Sequence, residues 1–118
     1  MPINPQRGEI WNLDFDPQVG AEITKIRPAL VLDHGHPTLT LRVVVPITGW
    51  QPSYAHHQTK VNIKPGGTSG LEKESAADAY QVKSADLSRF KNKRGSLPPA
   101  TVDNVAAAVA TIIDAPDL

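Results

Sequence analysis

Five stretches in the first part of the chain have the residue pattern of short β-strands. The clearest covers 8–15, where alternate apolar residues share one face of an extended strand: Trp11, Leu13 and Phe15. The segment 38–48 is rich in β-branched residues, which favours a strand more strongly still. The other predicted strands cover 27–34, 59–64 and 74–84. Two longer loops, 16–26 and 49–58, separate strands of this set.

The residue pattern changes after the fifth predicted strand. Ser84 is a predicted cap for a short helical turn over 85–90, which ends near Gly95. A longer helix follows, with Thr101 as its predicted N-cap and Pro116 just beyond its end. One stripe of that helix is apolar: Val102, Val105, Val109, Ile112 and Ile113. Closely spaced strands followed by one helix predict a mainly β domain with α, built as a small barrel or sandwich.

Length, charge and composition limit the class of protein. The 118 residues suit a single domain over 1–118. The 12 basic and 12 acidic residues cancel, which argues against a broad, non-specific nucleic-acid binder but leaves room for a small local site. Cysteine is absent, which excludes disulfides and zinc–thiolate sites and fits a reducing cytoplasm. We expect a cytoplasmic protein without a membrane partner, because no apolar run has the length of a signal peptide or a membrane span.

Several polar clusters are candidates for binding. The pair His34 and His36 has no identifiable third metal ligand, and we interpret it as a solvated turn. The basic run 89–95 has two open interpretations, a solvated face or a phosphate contact. The loop 49–58 and the residues after it could stack on unpaired bases or form a partly packed surface: Trp50, Tyr54, His56, His57 and Lys60. The sequence has no phosphate-binding loop, metal-protease motif or paired-cysteine motif, so we expect neither a metal nor a cofactor.

Arg27 and Thr48 are the strongest candidates for chemistry. Arg27 directly precedes a buried strand, and Thr48 ends the next one. If the two strands pair as an antiparallel hairpin, the start of one lies beside the end of the other, so the two side chains meet. Glu22, five residues earlier in the chain, could orient the guanidinium. The competing interpretation is a structural Arg–Glu pair next to a threonine at a strand end.

Several segments, in order along the chain, are similar to those of the MazF/PemK family of bacterial toxins. The most specific is the opening "RGEIWNLDFDPQVGAEITKIRPALVL". "VVVPIT" resembles the family's third-strand segment, "YQVKS" its glutamine-containing segment, and "KRGSL" its step into the last helix. The resemblance covers nearly the whole chain. The sequence departs from the family at Tyr80, where an aspartate is usual, and over 49–58, which does not align; both lie where sequence preference would be set.

The resemblance implies a fold, an activity and partners. The implied fold is an SH3-like small β-barrel with a C-terminal helix, usually found as a homodimer. The implied activity is that of a toxin of a type II toxin–antitoxin system, a metal-independent endoribonuclease that cuts single-stranded RNA and is inhibited by a cognate antitoxin. Operator DNA would be bound only through that antitoxin. By the resemblance, Arg27 and Thr48 are the catalytic pair and Glu22 is their supporting acid. The residues expected near the RNA are Trp50, Tyr54, His56, Lys60, Gln81 and Lys83.

Two other functions fit the same fold. One is a non-enzymatic toxin that poisons DNA gyrase, and the other is an inactive module that only binds the antitoxin. The gyrase activity relies on an apolar or aromatic anchor at the C-terminus, and "IIDAPDL" has no tryptophan. The presence of both Arg27 and Thr48 also favours the nuclease.

Overall fold

Residues 2–15 and 26–117 are described by the computed structural model, and they form seven strands and one helix. The bounds of these elements are β1 Glu9–Asp14, β2 Ile26–Val31, β3 Leu41–Gly49, β4 Lys60–Ile63, β5 Ser75–Asp78, β6 Lys83–Asp86, β7 Phe90–Ser96 and α1 Pro99–Ile112. The prediction of a mainly β fold with a C-terminal helix is confirmed. Among these residues there is no helix with the length and apolar character needed to cross a bilayer.

The long strand β3 organises the sheet because three other strands pair with it. Its first half pairs with β6, from Leu41 opposite Asp86 to Val44 opposite Lys83. Its second half pairs with β5, and its other edge pairs with β2. The strand order is β4-β5-β3-β2-β1-β7, with β6 branching from β3, and all described pairings are antiparallel.

The C-terminal half of the chain corrects four of the predictions. The predicted strand 74–84 is two strands, interrupted by a 3₁₀ turn at Ala79–Gln81. The helical turn exists as a 3₁₀ turn at Leu87–Arg89, but its cap is Asp86 and not Ser84. The segment predicted to stop that turn is strand β7. Helix α1 has Pro98 and not Thr101 at its N-cap, with a proline in the first turn, where a missing N–H removes no helical hydrogen bond.

Asp86 fixes the corner between β6 and β7. Its side chain accepts hydrogen bonds from the Ser88 backbone N–H, at 2.9 Å, and from the Thr40 hydroxyl, at 2.7 Å. The hydrogen bonds from Ser88 and Thr40 lower the pKa of Asp86 to about 2, because they stabilise its charged form.

Two apolar clusters hold the fold, one on each side of the central strands. The first cluster joins the sheet to the helix through Val102 and Val105, which confirms the predicted apolar stripe there. The second lies on the other side and includes Trp11, Leu13 and Phe90, with the Trp11 and Phe90 rings edge to face at 5.7 Å. Successive residues of β2 and β3 point into different clusters, so these strands are buried on both faces.

Strands β4 and β7 stand at the two ends of the strand order and are not paired in the described structure. A glycine-rich turn over 65–71, which follows β4 in the chain, contacts β7 instead. The Ser96 N–H donates to the Thr68 carbonyl at 2.8 Å, and the Thr68 hydroxyl donates to the Ser96 carbonyl at 3.0 Å. The Arg94 guanidinium donates to the Gly70 carbonyl through Nε, at 3.2 Å, and Nη2, at 2.8 Å. The turn therefore gives the open sheet the outline of a small barrel.

We predict that Gly70→Ala destabilises the protein more than Gly66→Ala. Both glycines have positive φ, +72° and +84°, so both alanines carry the left-handed backbone cost of about 1–2 kcal/mol. A Cβ at Gly66 meets open space, whereas a Cβ at Gly70 lies 2.0 Å from the Arg94 carbonyl oxygen. Urea unfolding should show that Gly70→Ala lowers the free energy of unfolding by about 1–3 kcal/mol beyond the effect of Gly66→Ala. Equal losses in the two variants would show that the turn is not held tightly against β7.

Candidate functional site

The register of β2 and β3 places Arg27 beside Thr48. Ala29 pairs with Pro46 and Leu30 with Val45, so the same register continued outward puts Arg27 opposite Thr48. Two grooves lie on opposite sides of this pair, and Arg27 and Thr48 line both of them. The described structure thus brings together the two residues that the sequence selected, at the point where the grooves meet.

The first groove has a volume of about 670 Å³ and runs from this point toward the glycine-rich turn. Besides Arg27 and Thr48, it is lined by Pro28, Ile47, Gly49, Leu71, Glu72, Lys73, Ser75 and Arg94. The second groove has a volume of about 560 Å³ and runs the other way. Its further lining residues are Phe15, Pro46, Tyr54, Lys60, Asp78, Gln81 and Lys83.

Among the described residues that line them, cations outnumber carboxylates in both grooves, although the whole chain is neutral. In the first groove, Arg27, Lys73 and Arg94 are accompanied by one carboxylate, Glu72. In the second, Arg27, Lys60 and Lys83 are accompanied by Asp78. Concave surfaces lined by one sign of charge concentrate ligands of the opposite sign, so the arrangement suits an extended polyanion that passes over Arg27. Arg94 belongs to the basic run 89–95, for which a phosphate contact was one of two interpretations, whereas Lys73 was not selected from the sequence.

The wall of the second groove is aromatic. Tyr54 belongs to a 3₁₀ turn, Pro52–His56, and packs edge to face on Trp50 with the ring centroids 5.7 Å apart. The Lys60 ammonium lies 5.2 Å from the centre of the Tyr54 ring, and the Lys83 ammonium lies 5.4 Å from that of Phe15. Of the six residues expected near RNA, four line this groove and Trp50 supports it. His56 is exposed on the turn and lines neither groove.

Arg27 makes no hydrogen bond or ion pair with any residue of 2–15 or 26–117, and its side chain is exposed. The other arginine near the start of a strand, Arg42, is buried and donates to Pro5 O at 2.8 Å, Leu41 O at 3.0 Å and Asn4 Oδ1 at 2.9 Å. Arg42 therefore has a structural role, whereas no residue of the described part of the chain occupies the donors of the Arg27 guanidinium. Glu22 lies outside the described residues, and its role as the supporting acid stays a prediction.

The turn histidines are held by local hydrogen bonds. His34 Nδ1 lies 2.7 Å from Gln6 Oε1, and His36 Nδ1 accepts from the Thr38 N–H at 3.2 Å. Within the part of the chain that the structure describes, no three metal-binding side chains cluster.

Asp78 is a residue of the second groove that the sequence reading did not select. It lies directly opposite Lys60 in the pairing of β4 with β5, and its Oδ1 is 3.3 Å from the Lys60 ammonium. Its Oδ2 accepts a hydrogen bond from Gln81 Nε2 at 2.7 Å. In the sequence Asp78 falls inside the predicted strand 74–84, so its cross-strand pairing with Lys60 gave no signal there.

Comparison with known proteins gives one consistent result. The family model described as PemK-like, MazF-like toxin of type II toxin–antitoxin system matches residues 6–113. A curated relative, Endoribonuclease MazF9 of Mycobacterium tuberculosis, is 29% identical over 116 residues, covering 92% of this chain and 96% of that protein.

Two solved structures show the same fold. The structure of MazE-MazF from Deinococcus radiodurans has a TM-score of 0.77 and 24% identity, covering 97% of this chain and 99% of that one. An endoribonuclease in complex with its cognate antitoxin, from a mycobacterial species, has a TM-score of 0.72 and 19% identity, with 97% and 99% coverage.

Proposed function

The chain belongs to the family of PemK-like, MazF-like toxins of type II toxin–antitoxin systems, and on this premise we propose that it is an endoribonuclease that cuts single-stranded RNA. The likeness to the curated endoribonuclease supports the activity. The observation that carries the proposal is the exposed Arg27 side chain opposite Thr48 in the strand register, where two cation-lined grooves meet. Such a substrate places its activity in the cytoplasm, where messenger RNA is translated.

The proposed substrate is an unpaired strand that lies across both grooves with one phosphate at Arg27. Single-stranded RNA is bound by cations that follow its backbone and by aromatic rings on which bases stack. The first groove offers Lys73 and Arg94 for the backbone, and the second offers the Tyr54 ring for a base. Both grooves are needed, because the nucleotides on the two sides of the cut leave Arg27 in opposite directions.

In the proposed reaction the RNA supplies its own nucleophile. The 2′-oxygen loses its proton and bonds to the adjacent phosphorus, while the bond from phosphorus to the 5′-oxygen breaks and that oxygen takes up a proton. The products are a 2′,3′-cyclic phosphate and a 5′-hydroxyl. Charge builds up on the nonbridging oxygens in the transition state, so donors positioned in advance lower the barrier.

Arg27 and Thr48 have different tasks in this scheme. Arg27 provides a permanent positive charge and a planar set of donors that matches phosphate oxygens. Pro28 restricts the backbone beside it, and the pairing of β2 with β3 holds the support rigid. Thr48 donates its hydroxyl to a nonbridging oxygen or passes a proton. We assign Arg27 chiefly to electrostatic stabilisation, with Glu22 as the acid that orients it.

We predict that Arg27→Ala abolishes detectable cleavage and that Thr48→Ala lowers the rate about 10²- to 10³-fold, the usual effect of losing one preorganised donor. Arg27→Lys should give an intermediate rate, because it keeps the charge and loses the planar set of donors. Cleavage of a mixed single-stranded RNA, followed by end-group analysis, measures these effects. The ends should be 2′,3′-cyclic phosphate and 5′-hydroxyl, and the rate should be unchanged in EDTA.

Lys91→Ala is the matched control, because Lys91 is an exposed cation on β7 that lines neither groove. It should cut like the wild type, and all variants should have the wild-type circular dichroism spectrum. The mechanism would be contradicted if Arg27→Ala cut RNA at the wild-type rate, or if the RNA products carried 5′-phosphate ends. Inhibition of DNA gyrase by a wild-type protein that leaves RNA intact would favour the gyrase-poisoning alternative.

We also propose that the protein forms a symmetric homodimer. Three large apolar side chains are exposed at and just before the start of β3: Leu39 at 52%, Leu41 at 38% and Val43 at 38%. Leu41 and Val43 lie two residues apart and so share the same face of the strand. A symmetric pair would cover such a surface on both copies at once. Light scattering at micromolar concentration should give twice the monomer mass of 12.7 kDa, and a monomer mass would exclude the dimer.

The proposed inhibitor is a cognate antitoxin, whose acidic segment lies over Arg27 and the loop 49–58. The solved mycobacterial relative in complex with its cognate antitoxin supports this partner. Carboxylates of such a segment would compete with phosphate for the same donors. Operator DNA would be contacted only through the antitoxin. We expect the antitoxin to displace a non-cleavable RNA in a fluorescence anisotropy titration, and simultaneous binding without loss of affinity would refute the overlap.

A further inference from the structure

The second groove contains a buried carboxylate that the proposed cleavage mechanism does not use. Asp78 is only 6% exposed and lies at the end of β5 among the residues that line this groove. A carboxylate is costly to bury unless other groups pair with it. Two groove residues do so here: Lys60 on the opposite strand and Gln81 three residues later in the chain.

The contact with Asp78 fixes which atom Gln81 offers to a ligand. A carboxylate accepts hydrogen bonds and cannot donate them, so only the amide nitrogen of Gln81 can face Asp78 Oδ2. The amide oxygen is then directed away from Asp78. No residue in 2–15 or 26–117 donates a hydrogen bond to Gln81 Oε1, and the residue is exposed in the groove. Within the described residues, Gln81 therefore presents an unused acceptor.

Asp78 also determines what Lys60 can do. The Lys60 ammonium is held 3.3 Å from Asp78 Oδ1 and 5.2 Å from the centre of the Tyr54 ring. Its charge is largely neutralised by the carboxylate, and its position is restrained from two sides. This part of the groove combines an aromatic ring with a neutral ion pair and a carboxamide oxygen, which suits a base better than a phosphate.

We propose that Asp78 is a positioning residue for base recognition: it holds Gln81 so that the second groove accepts a base with an amino group at purine C6 or pyrimidine C4. This inference rests on the proposed ribonuclease function. Adenine and cytosine carry an amino group at purine C6 and pyrimidine C4, where guanine and uracil carry a carbonyl oxygen. An amino group donates to Gln81 Oε1, whereas a carbonyl oxygen at the same place repels it and leaves both acceptors unpaired.

The experiment maps the cut sites of the full-length protein on a random-sequence single-stranded RNA. For the wild type we expect one position next to the cut to favour adenine and cytosine over guanine and uracil by roughly three- to tenfold, the effect of one hydrogen bond. In Asp78→Asn the new side chain can donate or accept, so Gln81 is free to turn over. The preference at that position should fall to below about twofold while those at other positions persist.

Gln81→Ala provides the second variant, because Gln81 is exposed and its loss should not affect folding. It should lose the same preference. Replacing adenosine by inosine at that position should lower kcat/KM roughly three- to tenfold for the wild type and leave it unchanged for Gln81→Ala. Asp103→Asn is the matched control, because Asp103 pairs with Arg7 on the surface, away from both grooves; it should keep every preference.

The outcomes separate this inference from the proposed function. Cleavage by the wild type without any preference for adenine and cytosine, or an unchanged preference in folded Asp78→Asn and Gln81→Ala, overturns the role of Asp78 and leaves the ribonuclease intact. If Asp78→Asn does not fold, Gln81→Ala alone decides. Absence of cleavage by the wild type overturns the proposed function and this inference with it.

Discussion

The antiparallel pairing of β2 with β3 is the constraint on which the site depends. Side chains of a strand alternate between its faces, so a shift of one residue would turn Arg27 away from the grooves. Leu30 and Val31 prevent this shift, because they are fully buried in different apolar clusters on opposite faces of the sheet. The packing of the core thus sets where the strand presents the exposed Arg27 side chain.

The sequence was most informative where burial leaves a periodic pattern. Strands β1 to β4 and the face of α1 that contains Val102 and Val105 were predicted, with boundaries that differ by a few residues. Strand β7 was missed because it is at the end of the strand order and exposes Lys91, Asn92 and Lys93, so it shows no apolar alternation. Its register shifts against β1 weaken the pattern further. Pairing with β1, a long-range contact, makes it a strand.

The part of the site that lies at the ends of two adjacent strands could be predicted from the sequence. Arg27 and Thr48 could be placed together because a hairpin brings the start of one strand to the end of the next. Asp78 could not be selected, because its importance comes from burial and from contacts with Lys60 and Gln81 on two other segments. The predicted strand 74–84 is broken by a 3₁₀ turn, and this turn gives Gln81 its place in the groove. The three alanines in the segment weaken the strand pattern but do not predict a turn.

The two grooves share Arg27 and Thr48 but are otherwise lined by different side chains. The first is completed by 71–75 and Arg94, and the second by 54–60 and 78–83. Because each groove has its own lining side chains apart from Arg27 and Thr48, substitutions of those side chains can accumulate in one groove while the reactive centre and the lining of the other stay unchanged. Divergence among copies of such a gene can then alter the recognised sequence one side at a time, without passing through an inactive ancestor.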